Sequence, residues 1–144
     1  MARMSGKSRF PLDAALILRA EAQTAITVDT DLAVQDLLDT GAYWQNPGDV
    51  ANGTIALVGH VESLTGTTPT LSIDIYVADD AAKTNAKLVQ SNPVVNGEWF
   101  EIAIDQAALA RKQASATKWY ATLNIGGTTP AAQVFAYLAP HSPI

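Results

Sequence analysis

The last third of the chain constrains the fold most, because its side chains alternate between two sides along runs separated by a glycine pair. Every second residue of 119–125 is apolar, and polar or smaller side chains fill most positions between them. This period of two is typical of a half-buried strand. Residues 126–130 read Gly-Gly-Thr-Thr-Pro, which favours a tight turn. With the run 132–138, the pattern predicts a closing β-hairpin around which an all-β domain is organised.

The return strand of this hairpin carries apolar side chains on both faces. Val134, Ala136 and Leu138 alternate with Phe135 and Tyr137. A strand of this kind is covered twice, either by a second sheet or by a partner chain. Phe135 and Tyr137 are therefore candidate interface residues.

The other strand signals are short and are separated mainly by turns. They cover 12–19, 25–28, 54–64, 71–77, 88–95 and 99–104. A turn at 65–69 predicts that 54–64 and 71–77 pair as a central hairpin. Residues 32–38 fit either a helical turn or another strand.

Three further signals refine this pattern. Pro93 confines its strand to a sheet edge or a bulge, Asn96-Gly97 predicts a type I′ hairpin turn, and Asp105 is a candidate cap for a helix through about residue 114. The fold class is therefore all-β: an antiparallel β-sandwich, jelly-roll-like, with one short helix. A flexible N-terminal arm of residues 1–10 precedes a single domain of residues 11–144.

Composition limits the kinds of site this chain can hold. It has 144 residues and no cysteine, which excludes disulfides and thiolate metal sites. Charged residues make up only 16%, compared with about 25% in an average soluble protein. Two interpretations remain open: a surface that largely meets another protein, or a β-protein rich in uncharged polar residues.

The charges are unevenly distributed along the chain. Residues 1–10 carry the bases Arg3, Lys7 and Arg9 and no acid, whereas residues 11–82 carry eleven acids and one base. An acidic domain argues against nucleic acid as a partner. The basic arm either reaches an acidic neighbour or is a frayed tail. No apolar run is long enough for a membrane helix, and the N-terminus lacks the apolar core of a signal peptide.

A search for chemistry predicts no catalytic, cofactor or metal site. His60 and Glu62 are two apart on a predicted strand, but one histidine and one carboxylate leave a metal shell incomplete. His141 lies in a proline-flanked tail. Asp74 and Glu101 would act as a glycosidase pair only if their strands faced one cleft.

Two acidic clusters and three tryptophans remain to be interpreted. The clusters, at 29–31 and 79–80, are better explained as solvated turns than as calcium loops, because neither has EF-hand spacing. Trp44, Trp99 and Trp119 suggest a sugar-stacking platform, or alternatively core positions. Trp44, in a turn-rich loop, also suits an interface anchor.

Three stretches are informative when they are taken together: the opening Leu-Asp-Ala-Ala-Leu-Ile-Leu with Ala-Gln-Thr, the segment Leu-Leu-Asp-Thr-Gly, and the closing run from Trp119 to Pro130. In this order they resemble the capsid cement, or decoration, proteins of tailed bacteriophages. The first two stretches are similar to the start of that family's sequences, which often have a strand of the form xDAxLxL…AQ followed by a DLG-like turn. Those sequences end with a YxRxxYxVGGTxP hairpin. Here Asp39-Thr40-Gly41 replaces the DLG turn, and Ala121 stands near the family's arginine.

The resemblance implies a jelly-roll-like structural protein without catalysis. It would form a homodimer or homotrimer on the virion exterior, after synthesis in the host cytoplasm. Its partner would be the major capsid protein, whose capsomers it bridges, and neither nucleic acid nor membrane is implied. Many modest contacts on a symmetric shell add up through effective concentration. The alternative is a glycan-binding β-sandwich module of a phage or host-attachment protein.

Overall fold

A computed structural model describes residues 17–20, 23–37 and 54–140. Seven strands and one helix follow one another along these residues. They are β1 (Ile17–Arg19), β2 (Thr30–Asp31), β3 (Gln35–Asp36), β4 (Thr54–Ala78), β5 (Lys87–Pro93), β6 (Trp99–Asp105), α1 (Gln106–Lys112) and β7 (Lys118–Pro140). Every ladder among them is antiparallel. The prediction of an all-β fold with one short helix is confirmed.

Two long strands dominate the sheet. β4 has 25 residues and β7 has 23, and they pair with each other from Ile55↔Pro140 to Ala78↔Lys118. The two predicted hairpins are therefore wrong, because 65–69 and 126–130 lie within continuous strands. Their glycines adopt positive φ to form bulges in the ladder, and the chain does not reverse there.

The shorter strands occupy the outer edges of this central pair. β5 and β6 both pair with β4, while β1, β2 and β3 all pair with β7. The glycine bulges divide the sheet into two regions. Region I contains 54–65 of β4, 131–140 of β7, β1 and β6. Region II contains 70–78 of β4, 118–126 of β7, β2, β3 and β5.

One apolar cluster spans both regions. Alternate residues of β4 and β7 are buried in it, together with Ile102 and Ile104 of β6 and Leu109 of α1. Trp119 is 1% exposed and belongs to this core. Within each region the buried positions recur every second residue, since one set of side chains enters the core, and in β7 this set changes from odd to even numbers across the bulge.

The two glycine bulges have the same sequence, Gly-Thr-Thr-Pro, at 66–69 and 127–130. They lie opposite each other, with Thr67 paired to Thr128 at the centre. The flanking register is symmetric about that pair: Thr65↔Ala131 corresponds to Thr70↔Gly126. The bulges are therefore related by a local two-fold axis.

This two-fold relation extends to the edge strands. Ile17 and Arg19 of β1 oppose Tyr137 and Ala136 of β7, so β1 has one extra residue, Leu18, between two neighbouring residues of β7. On the other edge, Leu88 and Gln90 of β5 oppose Tyr76 and Ile75 of β4 with the same irregularity. A β-bulge thus occupies corresponding positions in region I and region II.

The remaining predictions divide into confirmed and corrected ones. Pro93 ends the edge strand β5, as its missing N–H requires. The predicted strand at 25–28 is reduced to one bridge at Ile26, and 35–36 form a strand and not a helical turn. Residues 12–16 and 38–53, with their predicted strand start and loop, lie outside the described part of the chain.

Two local signals near β6 have different outcomes. Asp105 caps α1 by accepting a hydrogen bond from the Ala108 N–H, as predicted, and the helix ends at Lys112. Gly97 has φ of 81°, but Asn96 does not share its positive φ, so the turn is not type I′. It is not a hairpin turn either, because β5 and β6 both pair with β4.

Candidate functional site

The face of region I that points away from the core carries a row of aromatic side chains. His60 of β4 lies between Trp99 of β6 and Phe135 of β7 in the ladder, so all three project from the same face. In the next row on that face, Val58 lies between Glu101 and Tyr137. We call these six residues the aromatic face.

Phe135 and Tyr137, both predicted as interface residues, form one part of this face. Their ring centroids are 5.2 Å apart, and Phe135 is 9% exposed while Tyr137 is half-buried. Burial raises the pKa of Tyr137, and the charge of Glu101 adds to that rise. The hydroxyl of Tyr137 therefore stays neutral and acts as a polar tip on an apolar surface.

Trp99 forms the exposed part of the aromatic face. Its side chain is 64% exposed, and its ring lies 4.9 Å from the His60 ring, tilted by 40°. His60 Nε2 lies 3.2 Å from the Gly97 carbonyl oxygen, which fixes the imidazole beside the indole. An exposed tryptophan held by a neighbour is the kind of side chain that dominates protein interfaces.

Region II has a polar outer face in the corresponding position. Asp74 is 4% exposed, and its carboxylate accepts hydrogen bonds from Ser91 Oγ at 2.6 Å, Ser72 Oγ at 3.0 Å and Asn124 Nδ2 at 3.0 Å. Desolvation raises the pKa of Asp74, but these three bonds outweigh it and lower the pKa overall. The buried carboxylate is thus satisfied within the sheet.

A second polar group on region II links the sheet to the loop after β4. Lys83 donates to Asp31 at 2.6 Å and lies 4.9 Å above the centre of the Tyr120 ring. Tyr120 in turn stacks on Tyr76, with centroids 5.2 Å apart. Thr122 completes the group by donating to Asp31 at 2.7 Å. These contacts hold the loop against β2 and β7.

The predicted acidic cluster at 79–80 organises that same loop. Asp79 accepts hydrogen bonds from Gln113, Ser115 and Asn85, and Asp80 accepts from the N–H groups of 82 and 84. These bonds, led by Ser115, lower the pKa of Asp79. The cluster joins the loop to the segment before β7, so its structural role is clear. Within the described residues, no group of three or more possible metal ligands comes together.

The structure separates most of the residues considered as sites. Asp74 lies in region II and Glu101 in region I, so they do not face one cleft. Trp119 is buried in the core and cannot form a sugar platform with Trp99. The expectation that Trp99 is a core residue is wrong, because an edge position leaves its ring in solvent.

Four predicted interface residues, Arg3, Lys7, Arg9 and Trp44, lie outside the described part of the chain, so their role stays a prediction. Sequence reasoning missed the burial of Asp74, since an acid between Ile73 and Ile75 reads as solvent-facing. The sequence contained only a weak signal of this burial, namely the possible donors Ser72, Ser91 and Asn124. Only the pairing of three strands shows that all three reach the Asp74 carboxylate.

Comparisons with known proteins add no relative: the chain matches neither a protein-family model nor a curated protein sequence. In the described residues, the helix is too short and too polar to cross a membrane. Among the described residues, the aromatic face is the candidate site for contact with a partner, because Trp99 on it is 64% exposed.

Proposed function

We propose that this chain is a structural protein of a virion: a cement protein that binds the outer surface of a phage capsid and bridges neighbouring capsomers. In this role it acts as a homodimer or homotrimer, its partner is the major capsid protein, and it carries out no catalysis. The aromatic face of region I is the observation that carries the proposal, because it presents the packing chemistry that shell attachment needs.

The order of the strands supports the fold implied by the resemblance. If each long strand is counted as two, the first strand pairs with the eighth and the second, formed by β2 and β3, pairs with the seventh. The third pairs with the sixth and the fourth with the fifth. An antiparallel ribbon rolled in this order gives the two layers of a jelly roll.

The exposed position of Trp99 supports contact with a partner. A modest patch is sufficient, since specific interfaces bury about 800 Å² on each side. Aromatic anchors near the centre of a patch contribute most of the binding energy. Many copies on one shell then hold neighbouring capsomers together through effective concentration.

The basic arm adds an electrostatic contact to this proposal. Arg3, Lys7 and Arg9 provide three positive charges ahead of an acidic domain. We expect them to bind acidic side chains of the capsid surface and to order on binding. Deleting residues 1–10 should weaken attachment and leave the melting temperature unchanged. A shifted melting temperature with intact attachment would contradict this role.

The proposal is tested by co-sedimentation with empty capsids of the virus that encodes the chain, in expanded and unexpanded form. We expect saturable binding to expanded shells at a fixed ratio to the coat protein. Trp99→Ala should weaken that binding at least tenfold, whereas Leu88→Ala, at an exposed apolar position of region II, should not. Failure to bind either form of the shell would reject the proposal.

The exposed indole also favours a second candidate, a glycan-binding module, because sugar rings stack on exposed tryptophan. This candidate predicts specific signals on a glycan array that disappear in Trp99→Ala. The absence of signal for the unmodified chain would reject it. Capsid binding and glycan binding are measured separately, so each result is independent of the other.

A further inference from the structure

The strand pairing divides the chain into two halves that depend on each other. The N-terminal half comprises the described residues 17–20, 23–37 and 54–78, and the C-terminal half comprises 87–140. Each of the six ladders in the described residues joins a strand of one half to a strand of the other. Neither half pairs its own strands there, so each half is the binding surface for the other.

The covalent link between the halves is the connector, residues 79–86. The ladder closes beside it at Val77↔Lys87. The connector turns back on itself with a hydrogen bond of 2.9 Å from the Asp79 N–H to the Thr84 carbonyl oxygen. Lys83 and Asn85 adopt positive φ, at 67° and 54°, to complete the reversal. The connector thus decides whether a half meets its partner within the same chain.

We propose that a second copy of this chain supplies the missing half when the connector cannot close, which gives a reciprocal dimer by exchange of halves. The N-terminal half of one copy then pairs with the C-terminal half of the other through the same ladders. Exchange of identical elements is a low-cost route to a dimer, because every ladder of the closed chain is kept. The inference rests on the strand pairing and goes beyond shell binding.

The two-fold relation between the Gly-Thr-Thr-Pro bulges supports this partner. A Cβ on Gly66 would lie 2.9 Å from Pro130 Cα, and one on Gly127 would lie 2.9 Å from Pro69 Cα. The two long strands therefore contact each other as two copies of one segment do in a symmetric dimer. The central pairing does not require that both segments belong to one chain.

The test shortens the connector of the full chain. Deleting residues 79–86 joins Ala78 directly to Lys87. Ala78 alone would then have to form the loop between the paired residues Val77 and Lys87. A hairpin needs a loop of about two residues at least, so this chain cannot close on itself. The matched control replaces 79–86 with eight glycine and serine residues, which removes the Asp79 contacts and keeps the length.

Engineered cysteines report the exchange directly, since the chain has none of its own. Ser63 and Gln133 are paired across the two halves. One copy carries Ser63→Cys, the other carries Gln133→Cys, and the two are refolded together and oxidised. The deletion variant should give a disulfide-linked species of twice the chain mass on a non-reducing gel, and the control should remain at single mass.

Two results would overturn the exchange. One is a folded deletion variant that forms no disulfide between copies. The other is a deletion variant that stays unfolded while the glycine–serine control folds, because exchange should restore every ladder. Shell binding is measured by co-sedimentation of the unmodified chain, so failure of this inference is distinguishable from failure of the proposed function.

Discussion

Region I and region II share one backbone arrangement but differ in the chemistry of their outer faces. Each region contains part of the two long paired strands and an edge strand with a β-bulge. The regions meet at the two opposed Gly-Thr-Thr-Pro bulges. The outer face of region I carries the exposed Trp99, the half-buried His60 and Tyr137 and the buried Phe135, whereas that of region II carries Asp74 with its hydrogen-bond donors. The two-fold relation fixes the strands and leaves the outer side chains free to differ.

The difference indicates which face is available to a partner. On the outer face of region II, the buried carboxylate of Asp74 is satisfied by three donors within the sheet. Region I instead leaves an indole ring 64% exposed. Removing water from a hydrogen-bonded polar network is unfavourable, whereas burying an exposed aromatic ring against a partner is favourable. Region I is therefore the face on which we expect contact.

The largest effect should come from Gly59→Ala in region I. A Cβ at this position would lie 2.0 Å from the Phe135 carbonyl oxygen and 2.5 Å from Phe100 Cζ. The backbone oxygen cannot move without separating β4 from β7, so we expect a loss of more than about 3 kcal/mol in the free energy of unfolding. Urea denaturation followed by circular dichroism measures it.

Gly97→Ala is the matched control for this effect. A Cβ on Gly97 meets nothing within 4 Å, and only its φ of 81° opposes the change. The expected loss is about 1 kcal/mol, the cost of a left-handed residue. Equal losses in the two variants would show that the close approach of β4 and β7 is not what makes Gly59 necessary.

Equivalent substitutions in the two Gly-Thr-Thr-Pro bulges should lower the free energy of unfolding by similar amounts. Gly66→Ala and Gly127→Ala each place a Cβ within about 3.0 Å of backbone atoms of the opposite bulge, at φ of 125° and 113°. We expect each to lower the free energy of unfolding by about 2–3 kcal/mol, and the two losses to agree within about 1 kcal/mol. A large loss in one variant alone would contradict the two-fold relation.

Asp74→Asn tests the polar face of region II. The folded pKa of Asp74 is lowered, so its ionised form stabilises the fold above the unfolded pKa of about 3.9. That contribution disappears as pH falls through the lower folded pKa. We expect the variant to lose about 1–2 kcal/mol at pH 7 and to show a shallower loss of stability below about pH 4.

Chemical denaturation between pH 7 and pH 2.5 measures this dependence. Glu98→Gln, at an exposed position, is the control for the change in net charge. An acid dependence of Asp74→Asn identical to that of the unmodified chain would show that Asp74 is not stabilised by its three donors.

The sequence predicted the strands better than their connections. The alternation in 71–77 and 99–104 correctly identified the side chains that enter the core, because burial on one face imposes a period of two. The helix cap at Asp105 was also predictable, since it depends on a local hydrogen bond. These features are set by a few neighbouring residues.

The continuity of β4 and β7 was not predictable in the same way. Gly-Thr-Thr-Pro favours a turn when it is considered alone. It becomes a bulge only because the second copy lies opposite and both strands accommodate their extra residues together. The burial of Asp74 has the same origin, since its donors lie on three different strands. Contacts between distant segments decide both features.

The smallest effect on stability should come from Trp99→Ala in region I. The ring is largely in solvent and its aromatic contact is His60, so we expect the free energy of unfolding to change by less than about 1 kcal/mol. Leu88→Ala, at a 49% exposed position of region II, should change it by a similar amount. Equilibrium denaturation of the two variants measures both changes. A loss above about 2 kcal/mol for Trp99→Ala would mean that the indole supports the fold. The contrast between region I as a contact face and region II as an internally hydrogen-bonded face would then be wrong.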